Sequence, residues 1–172
     1  QPQSITPEGL NAIALPEFHC KPLIPDSKEN VFNQPDLQVM RSSVDTHQVE
    51  SSKPRVFEGP SGLGDAIWQL ADYFSAAKEV RTKFKIFKVL SQGDTMLTEQ
   101  FVELTGRLPE GILEQHATWQ ALWDRTNANQ PRLLTLRLVD FEQARSQHES
   151  GPLFADSTES VIGHNTAYRE QL

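Results

Sequence analysis

The sequence is poor in several things at once. It holds one cysteine, two methionines and two tyrosines in 172 residues. The lone Cys20 cannot close an intramolecular disulfide, and no Cys/His spacing resembles a zinc site, so no metal is expected. Removing disulfides as evidence does not exclude an exported protein. Positive charge is also short: 16 Lys and Arg stand against 23 Asp and Glu, a net charge of −7. A general nucleic-acid binder needs a basic surface to displace counterions, so that class is excluded. No apolar run approaches the ~20 residues of a membrane helix, and no membrane span is expected. H-E-x-x-H, G-x-S-x-G and C-x-x-C are all absent, which removes the common protease, hydrolase and redox signatures. No cofactor motif stands out. The chain opens on Gln with neither a basic nor an apolar leader segment, and reads as a processed or cloned fragment.

What is present is unevenly spread. Eight of the eleven prolines lie in residues 1–60. Residues 1–54 therefore read as a proline-rich arm of short pieces that dock on the remainder. Leu10 to Leu15 reads as the end of a helix. Phe18 to Pro25 reads as extended, because Pro22 and Pro25 disfavour a helix there. Val39 to Val44 and Arg55 to Phe57 read as short strands.

Residues 55–142 read as the compact unit. Leu63, Ile67, Leu70 and Phe74, with Ala66, Ala71 and Ala77, fall at helical spacing and predict a helix over 61–77, with Ser61 as N-cap. Four strand-like runs follow, at 83–90, 95–105, 112–124 and 132–141. The short turns between them favour an antiparallel meander. Alternation assigns faces. Ala117, Trp119, Ala121 and Trp123 share one face against His116, Thr118, Gln120 and Leu122. Leu134, Leu136 and Leu138 oppose Thr135 and Arg137. Residues 143–172 read as a polar linker followed by short helix signals.

Candidate chemistry is thin. His116 suits general acid/base work, a role open to histidine as a residue type. A histidine hydrogen-bonded on a half-wet sheet face is the favoured alternative. Asp72 on the helix suits an acid only if burial raises its pKa, and a solvated helix acid is favoured. Glu99 and Glu103 share a strand face, and pairing with Lys83, Lys85 or Lys88 is favoured over paired-carboxylate catalysis. Trp68, Phe101, His116, Trp119 and Trp123 are the candidate lining of a ligand pocket. For the tryptophans, core or interface packing is the stronger reading. Lys78, Arg81, Lys83, Lys85 and Lys88 form either an anion patch or an edge strand guarded by lysines. Gly59 to Gly64 is similar to a phosphate loop but lacks its Lys-Ser/Thr ending, and reads as a turn and helix start.

A short strand, one helix and a four-stranded meander resemble the nuclear transport factor 2-like superfamily, which includes SnoaL-like cyclases and ketosteroid isomerase. The resemblance spans roughly residues 10–142 and rests on Ile13 to Phe18, the helix 62–77 and the four strands. It implies an α+β fold, a cystatin-like cone with a curved antiparallel sheet of four or more strands packed on helix 61–77.

His116 to Trp123, Arg132 to Glu142, Pro152 to Thr158 and Tyr168 to Leu172 also resemble the module that precedes FG-GAP/VCBS and ASPIC/UnbV-type repeats in large bacterial proteins. That implies a connector over 143–172, a downstream repeat domain as partner and an exported, periplasmic or extracellular setting. Two functions follow. The first is a non-catalytic binding or assembly module, with a homodimer through the sheet face as one partner arrangement. The second is a SnoaL/ketosteroid-isomerase-like enzyme or binder of a small apolar ligand, with Asp72 or His116 as acid/base.

Overall fold

The computed structural model describes residues 6–43 and 55–147. The chain begins with helix α1 (Pro7–Ile13), capped by the Thr6 hydroxyl, which accepts from the Gly9 N–H. Strand β1 (Ala14–Cys20) follows directly, then β2 (Glu29–Gln34) and β3 (Leu37–Ser43). A two-residue strand β4 (Phe57–Glu58) leads into helix α2 (Gly59–Asp72). The meander is β5 (Val80–Gln92), β6 (Thr95–Leu108), β7 (Gly111–Asp124) and β8 (Arg132–Ser146).

The sheet order is β2-β3-β8-β7-β6-β5, and every neighbour along that path is antiparallel. β8 is long enough to serve two partners on its other edge. Its start pairs in parallel with β1, through Leu133 and Leu136, and its end pairs with β3 over Asp140 to Ser146. β4 closes antiparallel on β1 at His19 and Cys20. Register shifts at Phe87 on β5 and at Val139 and Leu134 on β8, the last opposite Trp123, mark bulges, which bend strands and sharpen their twist. The α+β cone expected from the sequence is the architecture formed: a curved sheet with a helical layer on one face.

The core sits between α2 and that face. Leu63, Ala66 and Leu70 of α2 meet Phe18, Val102, Trp119, Ala121, Leu136, Leu138 and Phe141. Three expectations are corrected. The helix begins at Gly59, not Ser61, because Pro60 occupies the first turn, where its missing N–H costs nothing. Glu58, not Ser61, is the N-cap residue, and it makes no side-chain cap bond. The helix also stops at Asp72 rather than Ala77. Its last turn tightens, with the Phe74 N–H on the Ala71 carbonyl and the Ser75 N–H on the Asp72 carbonyl, and Phe74 turns in to pack against Gly106.

The strands run further than alternation suggested, β8 reaching Ser146 rather than Phe141. On β8, Leu133 rather than Leu134 joins Leu136 and Leu138 in the core. The bulge opposite Trp123 inserts one residue and moves the alternation by one step. Residues 148–172, where most of the expected connector falls, lie outside the described residues.

Candidate functional site

The sheet has two faces with different chemistry. The outer face carries a lateral row of charge across five strands. Lys83 stands opposite Glu103, Glu103 opposite His116, His116 opposite Glu142, and Glu142 opposite Arg41. Lys83 Nζ donates to Glu103 at 2.7 Å, and Arg41 Nε donates to Glu142 at 2.5 Å. His116 lies between the carboxylates. Its Nε2 is 2.9 Å from Glu114 Oε1, its Nδ1 is 3.9 Å from Glu142, and its ring is 5.5 Å from that of Phe101.

A second row runs parallel to the first. Lys88 donates to Glu99 at 3.0 Å, Gln120 Nε2 to Glu99 at 3.2 Å, and Arg137 to Gln120 Oε1 at 2.8 Å. The Lys88 bond, helped by that from Gln120, holds the Glu99 carboxyl below its ordinary value of 4.5. A depressed folded pKa means stability that is complete above the unfolded value and lost as pH falls through the folded one. Glu99→Gln should therefore be slightly less stable than wild type in urea melts at pH 7. Well below pH 4.5, that gap should close. A gap that widened in acid would contradict this pairing.

Glu103, Glu114 and His116 bring one ligand atom each within 4.8 Å of one another, the set among the described residues that could hold a metal ion. Lys83 and Arg41 already balance its flanks, so the arrangement behaves as an ion-pair ladder. Cys20 is buried, and burial pushes its thiol up to about 11. It stays protonated at neutral pH and is no nucleophile.

The inner face is unusual in what it buries. Thr98, Gln100, Gln115 and Gln143 are all buried there among apolar neighbours. Trp123 Nε1 donates to the Thr98 hydroxyl at 2.9 Å, which in turn donates to Gln100 Oε1 at 2.8 Å. Gln115 Nε2 donates to Gln143 Oε1 at 3.1 Å, and Lys28 Nζ donates to the same oxygen at 3.2 Å. Trp119 Nε1 and Gln115 Oε1 are buried without a hydrogen-bond partner.

The residues singled out from the sequence do not meet in one place. Trp119 is core, and Trp123 packs beside it on the inner face. His116 and Phe101 meet with tilted rings on the outer face, across the sheet from both tryptophans. Trp68 is 72% exposed on α2. Asp72 is exposed at the end of α2, on the helical side, away from His116. Sequence reasoning missed Lys28, Gln115 and Gln143. Lys28 lies 115 positions from Gln143 in the chain, and no local pattern joins them.

The remaining feature is β5, the strand at the sheet edge. All thirteen of its residues are exposed. Phe84, Ile86, Phe87, Val89 and Leu90 are about half exposed, from 47% to 55%.

No family model and no curated protein matches the sequence. Solved structures similar to it include one described as "Rd1NTF2_04 with long sheet", at 10% identity and a TM-score of 0.46, covering 77% of this chain and 84% of that one. The beta subunit of the benzoate 1,2-dioxygenase from Burkholderia mallei ATCC 23344 is similar at 12% identity and a TM-score of 0.42, over 77% and 75% of the two chains. A naphthalene 1,2-dioxygenase with indole bound in the active site is similar at 10% identity and a TM-score of 0.41, over 76% and 65%. At these identities no activity, ligand or partner passes from them to this chain.

Proposed function

We propose that this chain is a non-catalytic binding and assembly module, and that the β5 end of its sheet is the surface it offers to a domain carried on the same, longer protein. One observation carries the reading. β5 is exposed along its whole length, with five large apolar side chains in seven positions. Phe84, Ile86 and Val89 stand opposite the inner-face residues Val102, Gln100 and Thr98, and exposed apolar surface of this kind marks contact sites.

Lys83, Lys85 and Lys88 and the bulge at Phe87 favour docking over open-ended strand pairing with a second copy. The path of the chain agrees. Ser146, at the end of β8, stands opposite Ile112, which stands opposite Arg107, next to the Gly106 that pairs with Val80. Chain leaving β8 therefore leaves at the end of the sheet where β5 begins. The sequence resemblance supplies the rest of the reading: a connector over 143–172, a downstream repeat domain and an exported bacterial protein. Asp72 and His116 lie on opposite sides of the sheet, which weighs against the SnoaL-like enzyme.

Hydrogen exchange tests the proposal on two proteins, this chain and the chain extended through the coding sequence beyond Leu172. In the extended protein β5 amides should exchange at least about tenfold more slowly. Phe84→Asp with Ile86→Asp should abolish that protection while sparing β7. Equal exchange in both proteins would overturn the docking reading. A concentration-dependent dimer of this chain, lost in the double variant, would move the partner to a second copy.

A further inference from the structure

Lys28 precedes β2 and crosses the inner face of the sheet. Its ammonium stands 4.9 Å from the Tyr73 ring centroid and 5.4 Å from that of Phe141. It makes no ion pair with a described residue, and its hydrogen bond goes to a neutral amide, Gln143 Oε1. An ammonium has three N–H donors. Two aromatic faces and one amide oxygen balance it weakly, and burial lowers its pKa.

The amide orientations below it follow by necessity. Lys28 can only donate, so Gln143 must turn Oε1 toward it. Gln115 meets that same oxygen and must therefore present Nε2. Its Oε1 is left buried with no donor, in a residue only 2% exposed. Flipping Gln115 would set two carbonyl oxygens against each other. A buried acceptor without a donor is unfavourable, and a half-buried cation without an anion adds to that.

The two deficits are adjacent and opposite in kind. Both side chains bond one atom, so the ammonium and the Gln115 amide are no further apart than those two bonds laid end to end. One deficit asks for negative charge and the other for a hydrogen-bond donor. We infer that Lys28, Gln115 and Gln143 form a binding site for a small hydroxycarboxylate. Its carboxylate takes the free N–H groups of Lys28 and its neighbouring hydroxyl donates to Gln115 Oε1. Tyr73, half exposed at the end of α2, forms the open wall, and Phe141 forms the floor. This site is independent of β5 and differs in ligand chemistry from the apolar pocket expected from the sequence.

The probe is glycolate, titrated into the ¹⁵N-labelled chain and followed through the side-chain amide signals of Gln115 and Gln143. Acetate and chloride serve as comparison arms. Both signals should shift and saturate with glycolate. Acetate, lacking the donor, should bind at least about threefold more weakly, and chloride should not compete. Lys28→Met should weaken glycolate at least about tenfold, whereas Lys85→Met on exposed β5 should change nothing. Gln115→Met should remove the preference for glycolate over acetate while keeping the dependence on Lys28. Absence of saturable shifts, undiminished binding by Lys28→Met, or equal affinity for glycolate and acetate would each overturn the assignment.

Discussion

Gly111→Ala should leave the chain largely unfolded, or melting far below wild type. Gly111 opens β7 with φ at 144°, a conformation that side-chain-bearing residues rarely adopt. The surroundings make it worse. A Cβ at this position would be driven into the backbone carbonyl of Ser146 and would stand 3.1 Å from the Cα of Gln147. Both obstacles are main chain, Ser146 at the end of β8, held by its pairing with β7 and β3, and Gln147 just beyond it, whose N–H donates to the Asp36 carbonyl. Neither can step aside as a flexible side-chain tip would. The expected cost exceeds about 4 kcal/mol, a large part of the 5–15 kcal/mol typical of a whole domain. Gly93→Ala is the comparison. Gly93 opens the two-residue β5–β6 turn with φ at 55°, but a Cβ there meets nothing within 4 Å. It should cost only about 1 kcal/mol. Urea unfolding of both variants checks the contrast, and equal losses would show that φ alone, not the approach of β8, governs Gly111.

Phe141→Ala should be the most damaging of the core truncations, at about 3–5 kcal/mol. The side chain is 1% exposed and stands opposite Ala117, a small neighbour that cannot close the gap left behind. The ring also lies under Lys28, so its loss removes part of what balances that cation. Trp68→Ala removes a larger side chain, but one mostly in solvent, and should change stability by less than about 0.5 kcal/mol. Calorimetric melting of the two variants reads the difference directly. A Trp68 effect as large as that of Phe141 would mean that α2 is covered by something other than solvent.

Much of the fold was legible because its signals are local. The α2 stripe of Leu63, Ala66, Ile67 and Leu70 repeats at helical spacing, and these residues do face the core. Ala117, Trp119 and Ala121 alternate, and they are buried as alternation requires. Glu99 and Glu103 were expected to meet lysines of the preceding strand, and they meet Lys88 and Lys83. Other features carried misleading local signals. On β6 the buried residues with a side chain beyond Cα are Thr98, Gln100 and Val102, besides Gly106, while Leu97 and Phe101 lie on the outer face. Hydropathy alone assigns such a strand poorly, because its buried polar groups are satisfied by other side chains, Thr98 by Trp123 of β7 and Gln100 by Thr98 itself.

The candidate site was the least legible part. Its components come from the β1–β2 connection, from β7 and from β8, and only pairing brings them together.

By itself, then, the sequence determined where the helix and the four meander strands lie, which residues of β7 face inward, and that Cys20 has no intramolecular disulfide partner. Periodicity and counting are properties of neighbouring residues, and they survive without a tertiary structure. The tertiary structure alone decided that β8 divides one edge between β1 and β3, that a bulge trades Leu134 for Leu133 in the core, and that β5 is left uncovered. It also decided that Lys28 comes to rest over two buried amides. These outcomes depend on strand pairing between distant segments. There, a slip of a single residue turns a side chain from one face to the other.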